Sequence, residues 1–320
     1  MSAASTALKG RRSVPYFVPA LLAVLVMLVI TVTKSSHFLD GGWKLVLVYA
    51  SPLILLAMAQ TPVVLSGGGG LDISVGPAAG LVSVVLAVGL IAHDLSVAWL
   101  VVLAALVVGG LIGALNGTLV ALMRIPPIIA TLATYLVFTG VATQVLGSPT
   151  GYLPEWMSWF TGVDEPVPNV LWLILGVGAL WWLLTRTAYW RNLRMVGSND
   201  RAAYTAGVPV TAVRFVAYVL TGVMVGIAGL VLTAVLGGAD ATVGPTYTML
   251  AVAGVALGGV SLAGGRGGLL GAACGAVLLF LIQNFLILTE ASSFVVQAAY
   301  GVVLVVAIVV NGAWDRKRKS

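Results

Sequence analysis

The chain has 320 residues, of which 60% are hydrophobic and only 8% are charged, and its formal net charge is +6. Its mean hydropathy is +1.09. A soluble domain carries about 25% charged residues, so the charged residues present here are too few to cover a soluble surface of this size. The composition therefore excludes a soluble domain and predicts an integral membrane protein.

Apolar segments long enough to span a bilayer, which takes roughly 17 to 25 helical residues, recur along the whole chain. In order they are 17–32, 45–65, 73–92, 97–123, 127–146, 169–185, 213–236, 246–262, 269–288 and 294–311. They predict an all-α integral membrane protein with about ten transmembrane helices, some broken or short, in one domain over 17–311. The first segment is long and lacks a small-residue cleavage site, which favours a retained anchor over a signal peptide.

The positions of the basic residues predict the orientation, because cytoplasmic loops retain Lys and Arg. With a cytoplasmic N-terminus, only Lys34 and Lys44 of the 16 basic residues fall outside. We therefore expect both termini in the cytoplasm. Basic cytoplasmic segments are predicted at 1–16, 186–214 and 312–320, and an external loop at 147–168. Orientation and lipid-headgroup contacts explain the positive charge, so no nucleic-acid partner is predicted.

One carboxylate interrupts the apolar sequence, in the stretch GGGGLDISVGP after the second span. Asp72 precedes a predicted helix, where a carboxylate can accept hydrogen bonds from the free N–H groups of the first turn. This position favours a structural cap.

Neutral polar residues supply the rest of the interior polarity. Proton or sodium coupling needs ionisable groups inside the membrane, so a self-sufficient secondary transporter, the alternative function, is poorly supported. Neutral amides and hydroxyls suit an uncharged, hydroxyl-rich solute, and they suit interhelical hydrogen bonds equally well. The candidate residues of a translocation path or gate are Asp72, Asn116, Thr131, Thr134, Gln283 and Asn284.

Small residues recur at four-residue spacing in two places. This spacing puts each set on one helix face, where missing side chains let two backbones approach closely. The predicted packing residues are Gly109, Gly113 and Gly117 in one stripe, and Gly267, Gly271 and Gly275, preceded by Ala263, in the other.

The longest cytoplasmic loop contains a short helix-forming sequence. Ser198 or Asn199 can cap its start, and Asp200 adds negative charge to its first turn. Gly207, with Pro209 just beyond, ends it. A two-turn helix is unstable alone in water, so we expect it to pack against the membrane domain or a partner protein; an ordinary interfacial loop is the alternative.

The sequence predicts no metal, nucleotide or catalytic site. His37 and His93 lack ligand partners at metal-binding spacing, and Cys274 is alone in an apolar span. The chain also lacks the G-x-x-x-x-G-K-[ST] and G-x-G-x-x-G patterns of nucleotide-binding loops. No convergent nucleophile set is present that would indicate a membrane enzyme.

Four blocks of the sequence together resemble the membrane permease subunit of bacterial ABC importers for ribose and related monosaccharides. They are GGGGLDISVGPAAG (67–80), GALNGTLVALMRIPPIIATLATY (113–135), VGSNDRAAYTAGVPVTAVRFVAYVLTGVMVGIAGL (196–230) and GGVSLAGGRGGLLGAACGAVLLFLIQN (258–284). The likeness runs from about residue 45 to the C-terminus. The chain departs from the family pattern at Gly69 and Gly70, where isoleucine usually follows a glycine pair, and at Ala206, where serine is common.

The resemblance implies a non-catalytic subunit of the bacterial inner membrane that passes a monosaccharide or similar solute. It implies a separate cytoplasmic ATPase, which would hold the ATP and Mg, so this chain needs no cofactor. An external sugar-binding protein and a second permease copy or homologue are also implied. The implied ATPase contacts are Gly197, Ser198, Asn199, Asp200, Arg201, Ala202, Ala203, Tyr204 and Gly207, which form a coupling helix. For Asp72, the resemblance leaves a gate pairing with Arg124 or Arg266 as the alternative to a cap.

Overall fold

The computed structural model describes residues 18–34, 38–147, 153–163 and 165–319, and it has no β-strand within them. The predicted all-α class is confirmed. The helices are α1 Val18–Lys34, α2 Trp43–Leu65, α3 Val75–Val84, α4 Ala98–Gly117, α5 Pro127–Leu146, α6 Ser158–Thr161, α7 Asn169–Thr185, α8 Ala188–Ser198, α9 Asp200–Thr205, α10 Val210–Leu236, α11 Gly244–Leu257, α12 Leu269–Leu288 and α13 Ser293–Lys319. The predicted basic segment 1–16 lies outside the described residues.

Wider or tighter turns extend several of these helices. A π-turn at Phe38–Gly42 precedes α2, and turns at Val85–Leu90 and Ile91–His93 continue α3. A further π-turn at Thr118–Leu122 continues α4. The spans containing α3 and α4 are thus irregular near one end, as expected for some broken helices.

The described helices account for the predicted spans. Six are long and apolar enough to cross a membrane, and a seventh span forms if α7 and α8, bent by 82°, are counted as one. Shorter apolar helices occupy Ala23–Thr33, Gly244–Leu257 and Ser293–Ala307. The chain is therefore a multi-pass membrane protein, and the expected count of about ten is compatible with these short helices.

One predicted span and the helical placement of Gly267 need correction, while Gly267 itself packs closely, since a Cβ there would lie 2.8 Å from the Cα of Val260. The span predicted at 246–262 ends at Leu257, because the chain turns at Gly258 and Gly259, the latter with φ of 71°. Gly267 does not continue the stripe of α12; it precedes that helix with φ of 121°, a left-handed conformation that favours glycine. Hydropathy predicts a helix for an apolar, glycine-rich sequence, but the backbone between Leu257 and Leu269 forms a loop.

Two central helices, α2 and α10, carry most of the packing. Every residue from Ala50 to Leu65 of α2 is buried, as expected for a helix that is apolar on all sides. α2 contacts α10, α11 and α12, and α10 contacts α2, α3 and α4. At the far end of α10, the Thr233 hydroxyl donates a hydrogen bond to the Ser83 hydroxyl of α3 over 2.8 Å. The remaining helices pack on this pair or on the helices that contact it.

The contact between α4 and α10 is made by backbone against backbone. A Cβ added at Gly109 would lie 2.7 Å from the Cα of Gly226, and one at Gly113 would lie 2.9 Å from the Cα of Gly222. Real Cβ atoms do not approach other atoms so closely, so only glycine fits at this separation. Gly117, the third residue of the stripe, faces Phe215 of α10 at 3.0 Å by the same measure.

The second stripe packs in a similar way where it is helical. A Cβ at Gly275 of α12 would lie 2.7 Å from the backbone nitrogen of Gly258, at the end of α11. A Cβ at Gly258 would lie 2.7 Å from the backbone nitrogen of Ala272, and it would overlap the backbone of Gly271. Gly271 and Gly275 thus lie where α12 meets α11.

We expect Gly113→Ala to destabilise the protein by about 1–3 kcal/mol, because the added methyl group overpacks the interface between α4 and α10. Gly110→Ala is the matched control, since a Cβ there would have its nearest contact, Val223, at an ordinary 3.5 Å. Thermal unfolding in detergent measures both. Equal stability of the two variants would contradict the packing argument.

Candidate functional site

Residues 66–74, which we call the aspartate loop, connect α2 to α3 through four consecutive glycines. Gly67, Gly68 and Gly69 have φ values of 67°, 64° and 75°. A run of residues with positive φ has a low conformational energy when the residues are glycines and a much higher one for other residues. The glycines therefore let the chain reverse tightly and return Asp72 to the interior, where its side chain is 3% exposed.

The Asp72 carboxylate is held by hydrogen bonds from uncharged groups. One oxygen, Oδ1, accepts from the Ser74 backbone N–H at 2.8 Å and from the Ser74 hydroxyl at 2.6 Å. The other, Oδ2, accepts from the Asn116 side-chain amide of α4 at 3.2 Å. Asp72 thus supports the turn that enters α3, although Ser74 occupies the N-cap position itself. Pairing with Arg124 or Arg266 stays a prediction about another state.

The backbone at Asp72 and at the residue after it is tied to the surrounding helices. Thr131 of α5 accepts a hydrogen bond from the Ile73 backbone N–H at 3.1 Å, and Thr248 of α11 donates to the Ile73 carbonyl at 3.1 Å. Gln60 of α2 donates from Nε2 to the Asp72 carbonyl at 3.1 Å. The aspartate loop therefore joins α2, α4, α5 and α11 through hydrogen bonds.

The structure brings only some of the predicted path residues together. Asp72, Asn116 and Thr131 meet at the aspartate loop, and the buried Thr134 follows one turn along α5, where its hydroxyl bonds the Thr131 carbonyl. Gln283 and Asn284 lie instead on α12, which packs against α1, α2 and α11. They therefore belong to a different part of the helix bundle.

Several buried polar atoms in the described residues around this loop have no hydrogen-bond partner. They include Oε1 of Gln60, Oδ1 of Asn116 and the hydroxyl of Tyr218. An unsatisfied buried acceptor costs about 1–3 kcal/mol. Such groups favour a rearrangement that gives them partners.

Sequence reasoning missed Thr248 and Tyr218 at this site. Thr248 lies in the apolar helix α11 and Tyr218 in α10, and nothing in their local sequence separates them from packing residues.

Four glycines, Gly67, Gly197, Gly264 and Gly265, form what we call the glycine junction. It joins the aspartate loop, the end of α8 and the loop between α11 and α12. A Cβ on Gly67 would lie 2.6 Å from the Gly197 carbonyl oxygen, and one on Gly264 would lie 2.7 Å from the same oxygen. The Gly265 N–H also donates to the Leu65 carbonyl over 3.0 Å. Three segments distant in sequence are thus in backbone contact.

The predicted short helix is present as α9 and is attached to α10 by an ion pair. Of the two possible caps, Asn199 is used: its side-chain oxygen accepts from the Ala202 N–H at 3.0 Å. Asp200 binds Arg214 of α10 at 3.1 Å, and Gly207 ends the turn with φ of 81°.

The two faces of α9 differ in exposure. Ala203 is 1% exposed and faces the core, whereas Tyr204 is 75% exposed. Arg201 and Ala202 are also exposed, and Ser198, at the end of α8, bonds back to the Arg194 carbonyl over 2.8 Å. A protein contact at α9 would therefore meet Tyr204, Arg201 and Ala202 first.

Comparison with known proteins assigns a family. A profile of the permease component of branched-chain amino acid transport systems matches residues 44–310. The ribose import permease protein RbsC of Escherichia coli K12 is 34% identical over 304 residues, which cover 91% of this chain and 92% of that protein.

Two further relatives show the same level of identity. The Bacillus subtilis ribose import permease RbsC is 34% identical over 274 residues, covering 83% of this chain and 82% of that protein. The autoinducer 2 import system permease protein LsrC of E. coli O157:H7 is 34% identical over 310 residues, which cover 92% of this chain and 86% of that protein. The likeness therefore spans nearly the whole membrane domain.

We expect Asp72→Leu to destabilise the protein by about 1–3 kcal/mol for each buried donor that it leaves without an acceptor, chiefly the Ser74 N–H and the Asn116 amide. Asp72→Asn keeps one oxygen acceptor and should lose less than half as much. Thermal unfolding of both purified variants measures the difference. Equal losses would show that the hydrogen bonds of Asp72 do not hold the loop.

Proposed function

The chain belongs to the family of permease components of branched-chain amino acid transport systems, and from that premise we propose that it is the membrane subunit of an ATP-binding cassette importer. Its solute is a monosaccharide or a similarly hydroxylated small molecule, moved across the bacterial inner membrane. The names of the relatives, ribose import permease and autoinducer 2 import permease, support this solute class. The chain itself performs no covalent chemistry.

The observation that carries the proposal is the attachment of α9 to the aspartate loop. α9 presents Tyr204 to solvent, and its Asp200 binds Arg214. The Arg214 guanidinium lies directly against Gly68 of the aspartate loop, where a Cβ would overlap it. An exposed helix is thus linked, through one ion pair and one close contact, to the loop that carries Asp72.

This linkage supports a mechanism in which α9 is the coupling helix. A separate cytoplasmic ATPase, which holds ATP and Mg, would move α8 and α9 as it closes and opens. Because the glycine junction leaves no free space between α8 and the aspartate loop, displacement of α8 would displace the loop as well. The hydrogen bonds of Asp72 to Asn116 and of Ile73 to Thr131 would then rearrange, which would switch the path between inward-open and outward-open states.

The neutral hydrogen-bonding groups at the aspartate loop suit the proposed solute. Hydroxyl groups of a sugar can satisfy amide and hydroxyl side chains such as Asn116 and Thr131 without bringing a charge into the membrane. An external sugar-binding protein would deliver the solute, and a second permease copy or homologue would complete the path. In the orientation expected from basic residues, α8 and α9 face the cytoplasm.

Reconstitution tests the proposal against a self-sufficient secondary transporter. Proteoliposomes would contain the chain alone, or the chain together with a partner ATPase and a solute-binding protein. We expect uptake of radiolabelled ribose or another pentose only in the complete system and only with ATP. Uptake by the chain alone, driven by a proton or sodium gradient, would overturn the proposal.

The end of α9 supplies a sharper test of coupling. Gly207 has φ of 81° and no neighbour within 4 Å of a Cβ, so the only strain from a substitution is in the backbone. Asparagine tolerates this conformation, whereas β-branched valine does not. We expect Gly207→Val to lower ATP-dependent uptake at least tenfold at normal membrane abundance, and Gly207→Asn to retain most of it.

The two Gly207 variants are compared in the complete reconstituted system, with ATP hydrolysis measured alongside uptake. Loss of uptake with continued hydrolysis in Gly207→Val would locate the defect in coupling. Normal uptake by Gly207→Val would contradict the assignment of α9 as the coupling helix.

A further inference from the structure

A cavity of about 560 Å³ lies beside α9, between the aspartate loop, the junction of α4 and α5, and the start of α10. Among the residues that the structure describes, its lining contains Arg124, Arg201 and Arg214 but only one acid, Asp200. Asp200 is already paired with Arg214. Within the described part of the chain, neither Arg124 nor Arg201 has an ion-pair partner. The cavity therefore presents uncompensated positive charge.

The backbone at Arg124 is in an unusual conformation. Arg124 has φ of 59°, one of three non-glycine residues with positive φ in the described ranges. It follows the π-turn of α4 and precedes Ile125 and two prolines, and the Ile125 N–H bonds back to the Leu119 carbonyl at 3.0 Å. Residues in such conformations are rare and concentrate at functional sites. Here the conformation places an exposed arginine at the cavity.

An apolar groove of about 540 Å³ adjoins the cavity. The two share Tyr204, Val210 and Thr211 in their linings. The groove continues between Leu122, at the end of the π-turn that continues α4, and Phe215 of α10. Leu122 is 58% exposed at the end of a membrane-spanning helix, so the groove begins where lipid chains lie.

We propose that the cavity and the groove together bind one anionic phospholipid. Its phosphate contacts Arg124 and Arg201, and one acyl chain lies along the groove between Leu122 and Phe215. A free phosphate ion would use the same arginines but leave the groove empty, whereas a lipid uses both. Basic pockets between membrane helices bind anionic headgroups in this way.

The site also fits the proposed orientation. If α8 and α9 face the cytoplasm, the cavity opens at the inner leaflet, where anionic lipids give the membrane surface its negative potential. The lipid site does not require that α9 contact an ATPase, so its test is independent of transport.

The contribution of the arginine charge to lipid binding is tested with the purified full-length chain in mixed micelles of phosphatidylglycerol and phosphatidylcholine. Native mass spectrometry measures the retained lipid. We expect preferential retention of phosphatidylglycerol, lowered about fivefold by Arg124→Gln, since one basic contact with an anionic headgroup accounts for roughly that factor. Arg186→Gln is the matched control: Arg186 is also exposed, follows the membrane helix α7, and lies over the Trp182 ring at 4.5 Å, outside the cavity. Equal loss in both variants would indicate general surface attraction and overturn the proposal.

The groove is tested by filling it. Ala212 lines the groove and is exposed, whereas Val216, one turn further along α10, is exposed but does not line it. We expect Ala212→Trp to reduce phosphatidylglycerol retention at least fivefold and Val216→Trp to leave it unchanged. Thermal unfolding of both variants verifies that each is folded.

Inorganic phosphate separates the two possible sources of the anion. It should bind weakly to the wild type and to Ala212→Trp alike, measured as a thermal shift, because only the groove is blocked. If Ala212→Trp retains phosphatidylglycerol fully while Arg124→Gln loses phosphate binding, the cavity is a site for a soluble anion and the lipid proposal fails.

Discussion

Direct contact between glycine backbones is the constraint on which this bundle depends. Lipid chains are as apolar as leucine side chains, so burial of apolar surface does not drive membrane helices together; close packing has to do so. Gly109 and Gly113 of α4 meet Gly222 and Gly226 of α10 at a separation that excludes any Cβ. This contact fixes the position of α10, and the position of α10 in turn sets where Arg214 and Tyr218 lie.

The same type of contact serves a different purpose at the glycine junction. There it joins loops and a helix end rather than two helix faces, so that Gly197 of α8 lies against Gly67 and Gly265. Backbones in contact cannot be pushed closer together, so close-packed segments transmit strain to one another. The junction therefore makes a mechanical connection from short helices outside the bundle to a loop inside it, and the hydrogen bonds of Asp72 extend that connection to α4.

Hydropathy, together with the residue types at the ends of apolar segments, was enough to predict most of the fold. The bounds predicted for α5, α7 and α12 coincide with the observed ones, because proline, asparagine or glycine marks each start and a glycine, charged or polar residue follows each end. The end of α11 and the loop position of Gly267 could not be predicted in this way. They depend on positive φ values at glycines within apolar sequence, and hydropathy carries no information about backbone dihedrals.

The site was predictable in its residue types more than in its contacts. Asp72, Asn116 and Thr131 stood out as polar residues in apolar segments, and the structure places them around one loop. Gln283 and Asn284 stood out equally but lie on α12. Arg214 lies at the end of the basic segment 186–214, which predicts orientation only. Its contact with Gly68 depends on how α10 is positioned, and no local sequence pattern contains that information.

The uninterrupted length of α10 restricts the kind of motion this protein can make. Its 27 residues from Val210 to Leu236 contain no proline and no π-turn, so it spans about 40 Å as one stiff rod. One end holds Asp200 through Arg214, and the other holds Ser83 through Thr233. A displacement of the first end therefore meets no proline or π-turn along the helix that would absorb it. It would be passed along the helix as a tilt, so movements at the two ends would be parts of one displacement.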